Sequence, residues 1–342
     1  MKVLFIGGLG RSGSTLVESL LNELPQTLAV GETIHLWERG IRDQERCACG
    51  EAFAACAHWA AVGQEAFGGW DQVDLDEIIG LRWSIDRSRR LPLIAASHLL
   101  HRPSEAELRY LDHLRAVLVA AARVGGDGPG GREPEVLLES SKHLSTAALL
   151  ALDPKLDVRV LHLVRDPRGV AYSWTKEVSR PEADGKLMPI YKPSRTAMRW
   201  VTDNLGFEIL ARRAQTLTLS YEGFLADPIG SILAIGRLVD LPAHELDLGF
   251  IDGNRATVST PLHSVAGNPM RFGGQELTLR LDDAWRTKLP RRDRQVVTAI
   301  TAPQLSRYRT PLISGEHGGW TGDDSRLGRD NSPVSAGDTL GR

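Results

Sequence analysis

The chain has 342 residues, of which 42% are hydrophobic and 25% charged, ample for one large α/β core. A formal net charge of −2 supplies no basic field of the kind that nucleic-acid binding needs. No apolar run approaches the roughly 20 residues of a membrane span, and the short apolar start lacks a small-residue cleavage site, so it reads as strand one of a cytoplasmic protein.

Lys2 to Gly7 is a buried-strand pattern, and Gly8-Leu9-Gly10-Arg11-Ser12-Gly13-Ser14-Thr15 turns it into a helix expected over Leu16 to Leu24. A strand, a glycine-rich turn and a helix N-terminus together make an anion cradle. The turn fits two templates. As G-x-G-x-x-G it uses Gly8, Gly10 and Gly13, with Glu32 placed as a ribose-binding acid after the next apolar run, Thr27 to Val30. As a phosphate-binding loop it runs from Gly8 to Thr15, but Ser14 stands where that template has its lysine, which disfavours a Mg-NTP hydrolase. The remaining reading is a metal-independent phosphate or phosphosulfate cradle with hydroxyls from Ser12, Ser14 and Thr15 and a cation from Arg11.

Helical pattern then runs through Asp71 to Arg90 and Pro103 to Val124, predicting a helical cap inserted over about 34–124. Its aromatics Trp37, Phe53, Trp59, Trp70 and Trp83, with Tyr191 later, are either an acceptor pocket or ordinary core. Cys47, Cys49 and Cys56 lie close together, with His58 two residues on. The single-residue Cys-x-Cys spacing is tighter than common zinc knuckles, so these cysteines are read as packing residues or a labile disulfide, with metal or redox chemistry as the alternative; no metal ligand is assigned. Gly125 to Gly131 reads as a flexible loop before a third strand at Val136 to Glu139, which leads into Ser140-Ser141-Lys142-His143.

Val158 to Val164 is a fourth buried strand, and Pro167 opens the next helix. Arg165 therefore stands at a strand's carboxyl end, and Ser173 about two turns along the helix; they can meet on one anion only if that helix angles back. Arg180 to Lys186 is a second mobile candidate. Thr216 to Ser220 is a fifth strand, followed by Tyr221-Glu222, and Gly267 to Phe272 is a late loop carrying Arg271. From Ser314 the sequence is rich in Gly, Asp and Ser, which predicts a disordered tail over 314–342.

The two anion motifs, Gly10 to Leu16 and Arg165 with Ser173, resemble those of the sulfotransferases that use 3′-phosphoadenosine 5′-phosphosulfate, PAPS. The resemblance covers most of the chain. It implies an α/β domain over 1–313, with a central parallel sheet flanked by helices in the P-loop-like sulfotransferase fold and a helical cap insertion. In that family the first loop binds the 5′-phosphosulfate and the second motif the 3′-phosphate, which makes Gly10, Arg11, Ser12, Gly13, Ser14, Thr15, Arg165 and Ser173 donor-binding residues. The family's strand ending in Tyr-Glu places Tyr221 near the adenine, and its late loop brings Arg271 to the 3′-phosphate, although cytosolic members carry a basic-basic-glycine pattern there. A Cys-x-Cys-Gly stretch followed by Cys-x-x-Trp recurs in related chains without implying a metal.

Sulfuryl transfer from PAPS to a hydroxyl or amine then needs charge neutralisation, from Arg11 or Lys142, and a base. Glu32 resembles the catalytic glutamate of members acting on protein tyrosine or certain sugars. His143 resembles, one residue out of step, the strand-end histidine of cytosolic members. A small-molecule, sugar or lipid acceptor, no nucleic acid and no metal requirement are the expected partners, and oligomeric state is not legible. An NAD(P)-dependent Rossmann oxidoreductase and a non-enzymatic nucleotide-binding protein are the alternatives.

Overall fold

The computed structural model describes residues 1–126, 133–183 and 185–308. β1 (Lys2–Gly7) leads through the glycine turn into α1 (Ser14–Leu21), which starts two residues earlier than the apolar pattern suggests, and then into β2 (Thr27–Gly31). The insertion follows as a π-helical segment over Leu36–Arg42 and four helices: α2 (Ala57–Phe67), α3 (Leu75–Ile85), α4 (Leu91–Leu100) and α5 (Glu105–Gly126). β3 (Val136–Lys142), α6 (Leu144–Leu150), β4 (Asp157–Val164) and α7 (Pro167–Ser173) complete the central repeat.

A short hairpin of β5 (Ser179–Arg180) and β6 (Lys186–Leu187) precedes α8 (Pro193–Leu210), β7 (Thr216–Ser220), α9 (Tyr221–Ala226) and α10 (Pro228–Leu238). A small antiparallel sheet of β8 (Ile251–Asp252), β9 (Arg255–Thr257) and β10 (Glu276–Thr278) and the helices α11 (Trp285–Lys288) and α12 (Arg291–Leu305) close the described chain. The residues expected as a tail, 314–342, and most of the glycine-rich loop, 127–131, lie outside the described residues.

The main sheet is parallel throughout, in the order β2-β3-β1-β4-β7. The five strands expected from sequence are its five strands. Because β1 is central, five of its six residues are buried, and they alternate between two cores. Val3 and Phe5 pack with Val30, Leu137 and the insertion's Trp37, Tyr110, Leu114 and Val117, whereas Leu4 and Ile6 pack with Leu16, Leu20, Phe224 and Ile232. The insertion therefore covers one face of the sheet and shares its core. Crossovers of parallel strands leave all carboxyl ends on one edge, where ligands of such sheets bind.

Candidate active site

Along that edge the glycine turn is built by backbone constraint. Gly8 (φ 137°) and Gly13 (φ 96°) hold conformations that side chains resist, and a Cβ on Gly8 would lie 2.4 Å from the Leu163 carbonyl oxygen. The Gly8 N–H donates to the Lys142 carbonyl at 3.4 Å, tying the turn to the end of β3. Gly13 caps α1, which presents its first N–H groups beside buried Ser12, Ser14 and Thr15. The Ser12 hydroxyl is buried without a hydrogen-bond partner. Arg11 (φ 77°) and Lys142 (φ 67°) also take left-handed backbone, a strain of about 1–3 kcal/mol each that clusters at functional sites.

The second motif converges on the first. Arg165, at the end of β4, donates from Nη1 to the Arg11 carbonyl at 3.1 Å, and its guanidinium lies 4.9 Å from the centre of the Tyr221 ring. That ring rests on Gly13, where a Cβ would come within 2.2 Å of it. Asp166 caps α7 by accepting from the Arg168 N–H at 2.8 Å. Ser173 ends it half-buried, and the next residue, Trp174, donates from Nε1 to the Gly10 carbonyl at 2.9 Å while its ring faces the Arg11 guanidinium at 5.1 Å. Burial, and secondarily Arg165, lower the pKa of Arg11, with Glu32 opposing. Two guanidiniums held this close mark a place for an anion.

Beyond the turn, at the ends of β2 and β3, lies an acid–base cluster. Lys142 Nζ contacts Glu32 Oε1 and donates to the Ser140 carbonyl at 3.0 Å, and the other Glu32 oxygen is 3.6 Å from His35 Nε2. Glu32 precedes the turn Thr33–His35 as its N-cap without a side-chain cap hydrogen bond, and Lys142 holds the carboxylate. His143 stands edge-on to His35, with ring centres 6.4 Å apart, and burial lowers its pKa to about 4. Imidazole at that pKa is neutral near pH 7 and a weak base.

Two acids that the sequence reading left without a role support this cluster. Glu139 is fully buried in β3, and its Oε1 accepts from the Thr33 N–H at 3.0 Å and the Thr33 hydroxyl at 2.7 Å, while Ser141 Oγ accepts from the Ile34 N–H at 3.0 Å. The turn that follows Glu32 is thereby clamped to β3. Glu18, on α1, is buried near Lys142, and burial raises the pKa of both Glu18 and Glu139 to about 7. Their one signal in sequence was an acid inside an apolar pattern.

Other sequence candidates fall elsewhere. Arg271 is buried on the β2 side, 3.4 Å from the Arg46 carbonyl and 3.9 Å from Glu182, with Nε and Nη1 unpartnered. In the segment read as a mobile candidate, Arg180 pairs with Glu45 at 2.7 Å and Glu182 with Arg39 at 3.0 Å. Asp184 itself lies outside the described residues. Trp37, Phe53 and Trp59 are fully buried core, while Trp83 is exposed. Tyr191 packs on Trp174, with ring centres 4.9 Å apart, beside the glycine turn. Met188, three residues before it, accepts from Arg11 Nη2 at 2.7 Å, so this segment borders the site.

A parallel sheet with a hydroxyl-rich glycine turn and a second cationic motif at one edge defines an α/β protein with its candidate site at the strand ends. A sequence model of the sulfotransferase family matches residues 4–245, and the chain belongs to that family, whose members transfer sulfuryl groups. No curated protein sequence matches it. Among solved structures it is similar to a sulfotransferase domain of the Synechococcus PCC 7002 olefin synthase (19% identity, 88% of this chain and 94% of that one, TM-score 0.47). It is also similar to a sulfotransferase domain of the curacin biosynthetic pathway (16%, 90% and 98%, TM-score 0.48) and to a sulfotransferase of Mycobacterium avium (14%, 90% and 77%, TM-score 0.40). These likenesses are distant and bring no substrate to this chain. Among the described residues no helix is long and apolar enough to cross a membrane.

Proposed function

We propose that the protein transfers a sulfuryl group from PAPS to a hydroxyl or amine of a small-molecule, sugar or lipid acceptor. The observation that carries this reading is the meeting of Arg165, Tyr221 and Trp174 on the glycine turn. A buried hydroxyl without a partner at Ser12, backbone N–H groups at the start of α1 and two guanidiniums suit an anionic donor with two separated phosphates. Gly10 to Thr15 would hold the 5′-phosphosulfate, Arg165 and Ser173 the 3′-phosphate, and Tyr221 the adenine. Arg271, buried among groups on the β2 side, is left out of this set.

PAPS supplies an activated sulfuryl group: the acceptor oxygen or nitrogen bonds to sulfur, the sulfur–oxygen bond to the 5′-phosphate breaks, and adenosine 3′,5′-bisphosphate leaves. Glu32 takes the acceptor's proton, and Lys142 both orients that carboxylate and stabilises negative charge on the sulfuryl oxygens. Arg11 neutralises charge on the departing phosphate. His143 is disfavoured as the base, since burial makes it weak. The oxidoreductase reading needs Glu32 free for a ribose, whereas Lys142 occupies it.

The test is transfer of labelled sulfate from PAPS to a panel of phenol, sugar and lipid hydroxyls. We expect one class to become labelled, with kcat lowered about 10²-fold or more in Glu32→Gln and less than about 10-fold in His143→Gln. Full activity of Glu32→Gln would overturn the base assignment. Absence of labelled product across the panel, with donor bound, would favour a binding protein.

A further inference from the structure

We propose that Cys47, Cys49, Cys56 and His263 form a structural zinc site that fastens the late segment around His263 to the start of the insertion. Their ligand atoms all lie within 4.8 Å of one another, the one such group among the described residues. Cys49 Sγ is 3.7 Å from Cys56 Sγ, and His263 Nδ1 is 3.4 Å from Cys56 Sγ and 3.9 Å from Cys47 Sγ. Tetrahedral zinc with bonds of about 2.3 Å to sulfur and about 2.0–2.1 Å to nitrogen requires edges of about 3.8 Å between sulfurs and about 3.6 Å from sulfur to nitrogen. The three separations lie within about 0.3 Å of those edges. They are far from the about 2.05 Å of a disulfide, and all three cysteines are free.

The surroundings are built to hold these atoms. The Cys47 N–H donates to Glu51 O and the Gly50 N–H to Cys47 O, each at 2.9 Å, in a tight turn completed by Gly50 at φ 94°. That turn aims two thiols one residue apart at a common point, and Cys56 joins them from the N-cap of α2. His263 is fixed from outside: Trp59 Nε1 donates to its carbonyl at 2.6 Å, and the His58 ring stacks on its ring at 4.7 Å, nearly parallel. His58, the histidine nearest in sequence, thus braces the ligand. A Cys3His set of soft thiolates in a tetrahedron suits zinc over harder cations, and binding displaces the thiol protons.

The site has a consequence for the chemistry at the sheet edge. Two residues after His263, the Val265 carbonyl accepts from the Glu32 N–H at 2.9 Å, and Ala48 N–H donates to the Ser264 carbonyl at 3.3 Å. Zinc would therefore hold the strand of chain against which Glu32 is set, a positioning role that is independent of the sulfuryl donor.

Metal analysis of the purified full-length protein, made without added metal or an affinity tag that binds metal, decides the matter. Native mass spectrometry and elemental analysis should find about one zinc per chain. Cobalt exchanged into the protein should show thiolate charge-transfer bands and the intense ligand-field bands of a tetrahedral site. Cys49→Ser and His263→Ala should bind less than about a fifth as much zinc, with Tm lower by more than about 5 °C, whereas His58→Ala should retain it. Wild-type protein with no zinc and three reactive thiols, with a Cys49–Cys56 disulfide, or with iron in place of zinc would overturn the proposal without reference to any variant. Retention of zinc by a folded His263→Ala protein would overturn the ligand set.

Discussion

Glu18 illustrates how burial can hold a carboxyl's proton even beside a lysine. It lies under the Glu32–Lys142 pair with one oxygen unpartnered, and its pKa is raised from the ordinary carboxylate range to about 7. Between pH about 4.5 and 7 the folded protein keeps a proton that the unfolded chain releases, so stability falls as pH rises through that window and is level above it. Glu18→Gln should remove this dependence at one site, making the variant more stable than wild type at pH 8 by on the order of 2–3 kcal/mol but not at pH 4. Urea unfolding at both pH values reads it out; an unchanged pH slope would contradict the assignment, although Glu139 keeps a slope of its own. Neither acid was legible as part of the site, because a glutamate in an amphipathic helix or a short strand looks solvated until packing encloses it. Glu32 and Lys142 were legible, since both end strands and bear charge, but their pairing was not. Nothing in sequence shows that residues 110 positions apart share one strand edge.

At the level of elements, Gly13 carries the joint between strand, turn and helix. Alanine there must adopt φ near 96° and meet the Tyr221 ring at 2.2 Å, so Gly13→Ala should destabilise the fold by about 1–3 kcal/mol and displace the ring that backs Arg165. We expect loss of nucleotide binding beyond what the fall in Tm accounts for; calorimetry on the folded variant measures it, and unchanged affinity would mean that Tyr221 has no part in the site. Central β1 and β4 were legible as near-continuous apolar runs buried on both faces, and edge strand β7 by its alternation of Thr and Leu. Helix α4 was not: Leu91–Leu100 is apolar on nearly every side, with Leu93, Leu99 and Leu100 exposed, so no 3.6-residue stripe marks it. Helix α2, rich in Ala and Gly, escapes for a similar reason. The cysteine cluster was legible as three residues only, since its histidine comes 207 positions after Cys56.

For the whole molecule, the order β2-β3-β1-β4-β7 spreads the work along one edge. The glycine turn after central β1 lies between the Glu32–Lys142 cluster at β2 and β3 and the Arg165–Tyr221 pair at β4 and β7. Under the proposed function that division sets anion binding on one side and proton removal on the other, as an in-line transfer between donor and acceptor requires. The helical insertion closes the sheet face behind the acid cluster, and its shared core keeps the strand ends fixed. Calorimetric titration with adenosine 3′,5′-bisphosphate, beside adenosine 5′-monophosphate and NAD and without added metal, tests the central claim most directly. The account predicts that the bisphosphate binds at least about 10-fold more tightly than the monophosphate, and that Arg165→Ala abolishes that preference. Equal binding of the two nucleotides, or a preference for NAD, would contradict it.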